Sequence, residues 1–583
     1  MRTPVPQVAP RWILRSPDLS RVQTLLSCPD LLLTPLLARL LVNRGIDTPE
    51  RAISFLSPSL REGLRSPLLF PDMGKATERI LRARTQDERV CVYGDYDVDG
   101  ITGSAQLLLF LRELGMGPDL YIPHRLREGY GLNLQAVQAL ADRGVKVLIT
   151  VDCGATGHRE IALAQRLGMD VIVCDHHHVP QERPPAYAVL NPMEKDCPFA
   201  FSGLSGAGVV FYLLMGLRMR LREQGQAPLP DLRRYLDLAT LGTVADLVPL
   251  VEENRVLVTY GLKEIARCAR PGMRALKAVS GEGAISTSYI GFRLGPRLNA
   301  GGRLAEAQKA VELLTTADEK RAQALAVDLD QENRVRQRLE EHILTQAITM
   351  VEAWPDLASR RSIVLASPEW HPGVIGIVAS RLVERFHRPT ILIALEGDTG
   401  KGSGRSPKQF HLYEGLKLCA DLFDGYGGHR QAAGLAIRTT RVRMFADRFE
   451  QIARERLSID DLVPTIEVDA VLDLSMLDTQ TIDDVRKLEP HGQGNPEPVF
   501  LARDVVVRAV RVVGQRSSLE KPGHLKLAVQ STRGGQAFEA IGFGMASLPI
   551  QQGARLEVLY TPTINVWNGS ESVQLRLRDL KLQ

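Results

Sequence analysis

Carboxylates and imidazoles follow directly after three short apolar segments of the chain. The side chains concerned are Asp95, Asp97 and Asp99 after VCVYG, Asp152 after VKVLITV, and Asp175, His176 and His177 after DVIVC. So many acids cannot stay ionised side by side unless cations lie among them. Imidazole together with carboxylate suits Mn²⁺, Mg²⁺ or Zn²⁺. The pattern therefore predicts a divalent metal site, with two ions.

The elements that must position these residues are strands and helices in alternation. Each apolar segment has the unbroken, β-branched character of a strand buried on both faces of a parallel sheet. A helical stretch such as ITGSAQLLLFLREL follows the first of them. In open α/β sheets the ligand site lies just beyond the carboxyl ends of the strands, so the acids and histidines should meet at one edge.

Each motif alone has a plainer interpretation. A DxDxDG segment also resembles the start of a calcium loop, but an EF-hand needs helices on both sides and a Glu at the twelfth position. An isolated His-His pair would more often be structural, although here it comes in register with two other acid-bearing strand ends. Asp246 follows the apolar helix YLDLATL and could be a further ligand or a helix cap.

Length and composition exclude several classes of protein. A chain of 583 residues divides into about three or four domains. No apolar run approaches the length of a membrane-spanning helix, and the N-terminus does not resemble a signal peptide. The seven cysteines are scattered and form no CxxC, which favours a reducing cytosol over a disulfide framework or structural zinc.

The net charge of +4 is small for this length, but basic residues concentrate at the C-terminal end. From residue 500 onward there are eleven Lys and Arg against six Asp and Glu. Seven of the basic residues fall in one β-rich stretch: Arg503, Arg508, Arg511, Arg516, Lys521, Lys526 and Arg533. This distribution indicates either a solvated strand face or an electrostatic footprint for nucleic acid.

Changes in composition and in the pattern of predicted helices and strands divide the chain into five segments of an α/β protein. They are a helical N-terminal cap on the sheet domain (1–75), a parallel-sheet domain (76–304), a long connecting helix (305–354), a second α/β lobe (355–463) and a small β-barrel (464–583). The barrel is predicted from short alternating strands that Gly and polar turns separate.

Eight motifs resemble those of a known superfamily in both order and spacing. GDYDVDGITG, VDCG, CDHHHVP and GTVADLVPL resemble the DHH phosphoesterase superfamily. GPRLNAGGRL, HPGVIGIVASRL, GSGRSP and GGHRQAAG are similar to motifs of its single-strand-specific 5′→3′ exonucleases. The resemblance covers roughly residues 76–580. It implies a DHH domain joined by a long helix to a DHHA1-type second lobe, followed by an OB-like barrel that binds nucleic acid.

The resemblance also implies roles for individual residues. The metal ligands would be Asp97, Asp99, Asp152, His176 and Asp246. Asp95 and Asp175 would lie next to the metals, and His177 would contact the substrate phosphate and could act as an acid. The substrate-binding candidates are Arg125, Arg297, Asn299, Arg303, His371, Ser403, Arg405, Gly428 and His429.

The substrate-binding candidates also make sense as chemistry. We interpret GSGRS and GGHRQAAG as Gly-rich turns that present backbone N–H groups, hydroxyls and guanidinium groups to phosphate. Arg125, Arg297 and Arg303 form a candidate phosphate clamp. Surface ion pairs are the alternative for each arginine.

The activity that the resemblance implies is two-metal hydrolysis of single-stranded DNA from the 5′ end to 5′-mononucleotides, in DNA repair and recombination. The cofactors would be two divalent cations, Mn²⁺ or Mg²⁺. The barrel would hold the strand by basic residues and by aromatics such as Tyr560 and Trp567. We expect a cytoplasmic monomer without membrane contacts, whose partners are single-stranded DNA, a single-strand-binding protein and a helicase.

Two other functions stay open at this point. A relative in the superfamily could cleave short oligonucleotides, cyclic dinucleotides or pyrophosphate, but such enzymes generally lack the long connector and the barrel. A non-catalytic nucleic-acid-binding scaffold of the same fold would be expected to have lost some of the acids, whereas all the proposed ligands are present here.

Overall fold

The computed structural model describes residues 9–125, 127–304, 306–514, 523–567 and 570–583. The chain forms two compact units. The sheet unit comprises Ile46–Val335 and Leu488–Pro496, and the barrel unit comprises Met1–Gly45, Arg336–Lys487 and Glu497–Gln583. No helix in the described ranges is long and apolar enough to cross a membrane.

The sheet unit is built on five parallel strands, as predicted. Their order across the sheet is Asp119–Tyr121, Val90–Gly94, Val147–Val151, Asp170–Cys174 and Ala188–Leu190. In this register Val151 lies opposite both Gly94 and Cys174. The three motif-bearing strands therefore end level with one another, which brings the acids and histidines to one edge.

Helices cover this sheet and bury its Val- and Ile-rich strands. They span Pro49–Leu56, Met73–Thr85, Val98–Glu113, Leu134–Asp142, His158–Arg166, Gly206–Glu223, Leu236–Ala245, Glu252–Arg267, Pro271–Ser280, Thr287–Tyr289, Gly295–Leu304 and Gln308–Thr315, with a π-helix at Ile290–Leu294. The helix that follows the first motif is buried on almost every side, since Leu107, Leu108, Phe110 and Leu111 all belong to the main core.

A 34-residue helix, Glu319–Glu352, follows within the stretch that the sequence predicts as a connector. It is separate from the preceding helix, because Thr316 is extended and Asp318 accepts the backbone N–H groups of Lys320 and Arg321. A side-chain acceptor at this position starts a new helix and competes with continuation of the old one.

The second α/β lobe lies in the barrel unit. Its sheet has the strand order Phe423–Gly428, Ala432–Arg438, Thr399–Arg405, Thr390–Glu396 and Ile363–Ser367, and its helices span Ile375–Phe386, Leu412–Lys417 and Val442–Arg456. The interpretation of GSGRS as a turn is wrong, because Gly402–Arg405 lies in a central strand. A Cβ on Gly400 or Gly402 would lie 2.7 Å from Ile393 or Leu435, and one on Gly404 would lie 3.0 Å from Leu412, so the neighbouring side chains would have to move.

The C-terminal segment forms the predicted barrel. Its strands follow the order Phe500–Val513, His524–Ser531, Phe538–Gly542, Ser570–Leu582 and Arg555–Trp567, and the last pairs with the first. Closure leaves no exposed edge between these five strands. A short strand, Ala470–Val471, adds to the first of them.

The N-terminal segment departs from its expected role as a cap on the sheet domain. Strand Arg11–Leu14 pairs in parallel with Thr465–Val468, and helices Leu19–Leu26 and Pro35–Val42 follow it. Asn43 donates to the Asp469 carbonyl oxygen at 3.0 Å. Residues up to Gly45 therefore belong to the barrel unit. The sequence did not predict this placement, because pairing with a strand so distant in the chain leaves no local signal. Helix Thr479–Lys487 completes this part.

Candidate metal centre and phosphate-binding residues

The first motif forms a tight turn into a helix. The Asp97 carboxylate caps helix Val98–Glu113 and accepts the N–H groups of Asp99 at 2.9 Å and Gly100 at 3.2 Å. A Cβ on Gly100 would lie 2.5–2.7 Å from backbone atoms of Asp95, so only glycine fits. The turn directs Asp97 and Asp99 to the same edge of the sheet.

Asp99 is held by the start of another helix. The N–H groups of Gly206 and Ala207 donate to its two carboxylate oxygens at 2.5 and 3.0 Å. The positive end of a helix stabilises a buried carboxylate in this way. Sequence reasoning missed Gly206, although Ser205-Gly206 before an apolar run is the signal of a helix start.

Asp152 has a left-handed backbone conformation, with φ +61°. Such a conformation costs a non-glycine residue about 1–3 kcal/mol and is typical of functional sites. The Tyr130 hydroxyl donates to the Asp152 carbonyl oxygen at 3.0 Å and helps to hold the turn. Tyr130 is a second site residue that sequence reasoning missed, and its motif gives no signal for this contact.

His176 lies at the centre of the cluster. Its Nε2 is 3.1 Å from Asp152, 3.5 Å from Asp246 and 3.8 Å from Asp99. Asp246 reaches the cluster from the C-terminal end of helix Leu236–Ala245. Four chain segments that are distant in sequence thus bring donor atoms to one point.

Asp175 and His177 form a pair beside the cluster. The Asp175 carboxylate accepts four hydrogen bonds, from the N–H groups of Ala155, His176 and His177 and from Nδ1–H of His177 at 2.8 Å. The Tyr130 hydroxyl oxygen is also 3.0 Å from His177 Nδ1. With its oxygens satisfied, Asp175 orients the His177 imidazole through Nδ1.

The electrostatics of the cluster match a cation site. Burial and then the neighbouring Asp97 charge raise the pKa of Asp99 to about 7, and burial and Asp99 raise that of Asp246 to about 9. Burial and neighbouring acids also raise the pKa values of Asp95 and Asp152. A divalent cation among these groups would reverse the effect and keep them ionised.

The two histidines have opposite shifts. Burial, and then the charge of His177, lowers the pKa of His176 to about 4, so its imidazole is neutral, as a metal ligand requires. Burial disfavours the charged form of His177 too, but the hydrogen bond and charge of Asp175 outweigh it and raise the pKa to about 9.

The donor set fits divalent cations. Asp95 Oδ1, Asp152 Oδ1 and His176 Nε2 are buried and have no hydrogen-bond partner among the described residues, which is costly unless something else satisfies them. Three overlapping groups have ligand atoms within 4.8 Å of one another: Asp152, His176 and His177; Asp99, His176 and Asp246; and Asp95, Asp97 and Asp152. Carboxylates with one or two imidazoles suit Mn²⁺ and Mg²⁺.

The arginine candidates of the sheet unit separate into two kinds. Arg125 lies over the ring of Tyr96, with its guanidinium carbon 4.9 Å from the ring centre; Tyr96 comes between Asp95 and Asp97 in the sequence. Burial raises the pKa of Tyr96, and the positive charges of Arg125 and Arg303 oppose this rise. Arg297 instead donates to Asp330 at 2.8 Å and to two backbone carbonyls. Asn299 accepts the Val98 N–H at 3.0 Å and so braces the first motif.

Ser403 and Arg405 lie together on one face of the second-lobe sheet. Arg405 Nη1 donates to Ser403 Oγ at 3.3 Å and to the Gly404 carbonyl oxygen at 2.7 Å. A Cβ on Gly376 would lie 2.8 Å from Ser403 Oγ and 3.2 Å from Arg405 Nη2. The first turn of helix Ile375–Phe386 therefore reaches these groups, and a helix start, a hydroxyl and a guanidinium can together hold an anion.

The other second-lobe candidates lie in turns. His371 accepts the Gly373 N–H through Nδ1 just before helix Ile375–Phe386. Gly428 has φ +143° and starts the hairpin connection, in which the His429 N–H donates to the Ala432 carbonyl oxygen at 2.7 Å. A Cβ on Gly428 would collide with Ala432 and Ala433, so this position requires glycine.

The barrel carries a basic row on its outer face. Arg511 lies opposite Lys526, Lys526 opposite Ile541, and Ile541 opposite Arg576, while the neighbours Leu525 and Leu527 point inward. The prediction that Tyr560 stacks on the bases of the strand is wrong, because its side chain is buried in the barrel and its hydroxyl donates to the Leu472 carbonyl oxygen. Arg516, Lys521 and the Trp567 side chain lie outside the described residues.

A parallel sheet with acids and a histidine pair at its carboxyl edge is the arrangement of a DHH-type phosphoesterase, and comparisons with known proteins agree. Models of the DHH family N-terminal domain, the DHHA1 domain and the RecJ OB domain match residues 89–243, 360–455 and 468–579. The single-stranded-DNA-specific exonuclease RecJ of Bacillus subtilis is 38% identical, over 98% of this chain and 70% of that protein. RecJ of Escherichia coli is 37% identical, over 93% and 95%.

Solved structures give the same result. RecJ from Thermus thermophilus in complex with Mn²⁺ superposes with a TM-score of 0.82 at 33% identity and covers 98% of this chain and 79% of that one. Its complex with Mg²⁺ has a TM-score of 0.75 at 31% identity, over 98% and 78% of the two chains. The chain belongs to the RecJ family of exonucleases.

Proposed function

We propose that this protein is a metal-dependent exonuclease that degrades single-stranded DNA from its 5′ end to 5′-mononucleotides, in DNA repair and recombination. The convergence of Asp97, Asp99, Asp152, His176 and Asp246 at one sheet edge is the observation that carries the proposal. RecJ relatives named as single-stranded-DNA-specific exonucleases support the choice of substrate.

These five residues would hold two divalent cations, Mn²⁺ or Mg²⁺. Relatives have been solved with each of these ions. When bound, the cations supply a water nucleophile at neutral pH and stabilise charge on the scissile phosphate. Asp95 would complete the carboxylate set with Oδ1, which has no hydrogen-bond partner in the described part of the chain.

His177 would act on the phosphate itself. Its Nδ1–H is fixed by Asp175, whose hydrogen bond and charge raise the pKa of the imidazole and favour its protonated form. A positively charged donor beside a phosphate can stabilise the negative charge of the transition state or protonate the leaving oxygen. Asp175 keeps the ring in the required orientation.

The other phosphate groups of the strand, including one at or near the 5′ end, would be bound by two sets of residues. In the sheet unit these are Arg125 and Arg303, beside Tyr96. In the second lobe they are Ser403 and Arg405 with the helix start at Gly376, and His371, Gly428 and His429 near the same sheet. Arg297 and Asn299 would instead support the fold around the first motif.

The proposal extends to the roles of the chain segments, to the cellular location and to the partners. The segments 76–304, 305–354, 355–463 and 464–583 would act as catalytic domain, connector, second lobe and DNA-binding barrel, and the N-terminal residues up to Gly45 would support the barrel unit in place of the expected cap. All seven cysteines lie in described ranges and are free thiols, in keeping with a cytoplasmic enzyme. We propose a monomer that cooperates with a single-strand-binding protein and a helicase.

The test is digestion of matched single-stranded and double-stranded DNA, labelled at the 5′ or the 3′ end, in the presence of Mn²⁺. We expect rapid release of label as mononucleotide from the 5′-labelled single strand and little attack on the duplex. Equal rates on both substrates would contradict the strand preference. Early release from the 3′ label would contradict the polarity.

A further inference from the structure

The segment Leu488–Pro496, here called the strap, is a closed loop that belongs to the sheet unit although it comes just before the barrel in sequence. The buried Asn495 donates through Nδ2 to the carbonyl oxygens of Leu488 at 2.7 Å and Pro490 at 2.9 Å. The backbones of Gly492 and Asn495 also pair with each other. The strap therefore has a defined shape of its own.

A buried arginine anchors the strap. Arg255 is 2% exposed, and its guanidinium donates to the carbonyl oxygens of Leu488, Glu489 and Phe55 at 2.7–3.1 Å. The guanidinium carbon also lies 3.6 Å from the centre of the Phe55 ring. A buried charge requires all its acceptors, so this contact fixes the start of the strap.

The strap contacts the loop that follows Asp246. The Leu250 N–H donates to the Gln493 carbonyl oxygen at 2.7 Å, and a Cβ on Gly492 would lie 2.5 Å from Leu250 Cδ1. Leu247, next to Asp246, has φ +60°, although it is not glycine. Backbone strain of this kind persists only where surrounding contacts determine the conformation.

A second contact leads to the first motif. The Thr287 hydroxyl donates to the His491 carbonyl oxygen at 2.6 Å. Thr287 starts the helical run that continues through the π-helix to Leu304, and within this run Asn299 accepts the Val98 N–H, between Asp97 and Asp99. The strap thus contacts elements that support two parts of the proposed metal site, the loop that follows Asp246 and the first motif.

We propose that the strap is a positioning element of the metal centre, and that Gly492 and Gln493 set the place of Asp246 through Leu250. The inference rests on the proposed function in one respect, that Asp246 is a metal ligand. Mutation of groups that orient metal ligands typically costs about 10- to 100-fold in metal affinity or activity, and the strap contacts the support of a proposed ligand and, in the described part of the chain, no substrate-binding residue. The strap therefore acts on the affinity for the cation.

The test is Mn²⁺ binding to the full-length protein, measured without DNA by electron paramagnetic resonance of the free ion. Gly492→Ala pushes a methyl group against Leu250. We expect it to raise the Kd for Mn²⁺ by about 10- to 100-fold. At saturating Mn²⁺ the variant should keep kcat and the KM for DNA within about threefold of wild type, since only positioning of the ligand has changed.

Two matched variants separate positioning from general destabilisation. Gly74→Ala places a Cβ in open space elsewhere in the sheet unit and should leave the Kd for Mn²⁺ unchanged. The second is the double variant Leu250→Ala with Gly492→Ala, in which the new methyl group at position 492 lies 3.9 Å from the Cβ at position 250 and no longer collides with a longer side chain. It should bind Mn²⁺ more tightly than Gly492→Ala alone. If Gly492→Ala does not fold, Thr287→Val removes the other contact of the strap, the hydrogen bond to the His491 carbonyl oxygen, and should also raise the Kd for Mn²⁺.

Wild-type Mn²⁺ affinity in a folded Gly492→Ala, or no recovery in the double variant, would overturn the inference while the proposed function stands. A wild type that binds Mn²⁺ but does not hydrolyse DNA would contradict the proposed function and leave this inference to be decided by the binding data. A wild type that binds no Mn²⁺ overturns both.

Discussion

Two acids that look equivalent in the sequence differ at the level of single residues. Asp95 and Asp175 both come directly after a buried strand, and both were expected next to the metals. Asp175 accepts four hydrogen bonds and orients His177, whereas no described residue donates a hydrogen bond to Asp95 Oδ1. Donors that come from turns and from the next histidine cannot be predicted from strand periodicity alone, so this difference emerges only from the fold.

Arg405 supports a residue-scale prediction. Arg405→Ala should lower kcat/KM on 5′-phosphorylated single strands by about ten- to a hundredfold, the equivalent of one charge-assisted contact of roughly 1.5–3 kcal/mol. The affinity for Mn²⁺ should not change, since Arg405 is not a ligand. The measurement compares 5′-phosphorylated with 5′-hydroxyl substrates.

The matched control is Arg438→Ala in the same sheet, where the arginine forms an exposed ion pair with Asp424 at 3.2 Å. It should behave as wild type, because exposed pairs contribute little. An Arg405→Ala enzyme that keeps its rate and its preference for a 5′ phosphate would refute the phosphate-binding role.

At the level of elements, the site depends on helices that pass unusually close to the acids. Helix Leu236–Ala245 approaches Asp99 at Gly242, where a Cβ would lie 2.5 Å from the Asp99 carboxylate. Helix Gly206–Glu223 meets the same carboxylate with its first N–H groups. Both approaches need glycine, and both fix a proposed ligand by packing as well as by hydrogen bonds.

Gly242→Ala should therefore displace Asp99, weaken Mn²⁺ binding and reduce hydrolysis at least about tenfold, in the range known for supports of metal ligands. Overpacking should also lower the melting temperature. Mn²⁺ titration and thermal unfolding of the same samples measure both effects, with Gly74→Ala as the unstrained control. A variant with wild-type affinity and rate would show that the approach to Asp99 is unimportant.

Elements were predictable from sequence where local pattern determines them. Unbroken β-branched segments predicted the three motif-bearing strands, and short segments of alternating apolar and polar residues predicted the barrel. The glycines of GSGRS suggested a turn, yet they form a strand because large aliphatic side chains of neighbouring strands fill the space above them. The pairing of Arg11–Leu14 with Thr465–Val468 and the docking of the strap were not predictable, since each joins segments hundreds of residues apart.

At the level of the whole molecule, the basic excess of the C-terminal segment forms an ordered surface. Arg511, Lys526 and Arg576 lie in one row across the outside of the barrel, where Lys526 pairs with Glu539 and Arg576 with Glu497. Basic residues arranged across strands can follow the backbone of a single-stranded nucleic acid. Binding through such a row depends on salt, because each neutralised phosphate releases counterions.

Replacing Arg511 and Lys526 with glutamine should weaken binding of single-stranded DNA and reduce the slope of log affinity against log salt by about 1.4. The kcat on a saturating short oligonucleotide should not change, since neither residue lies in the sheet unit. Fluorescence anisotropy at several salt concentrations measures the slope.

Arg503→Gln is the control for the barrel, because it removes one charge from the opposite end of the strand that carries Arg511, where Arg503 pairs with Glu557 at 3.5 Å. We expect it to leave the salt slope near that of wild type. An unchanged slope in the double variant would show that the row does not bind DNA.

The most direct test of the account is the rate of nucleotide release from 5′-labelled single-stranded DNA by wild type and His176→Ala, after EDTA treatment and again after addition of Mn²⁺. Both proteins should fold, because the His176 side chain is a donor to the cluster and not a core contact. Wild type should be inactive in EDTA and active in Mn²⁺, while His176→Ala should stay far below a tenth of the wild-type rate, given the several kcal/mol that such cations contribute. Activity of wild type in EDTA, or retention of more than about a tenth of the rate in the folded variant, would contradict a metal-dependent site at this sheet edge.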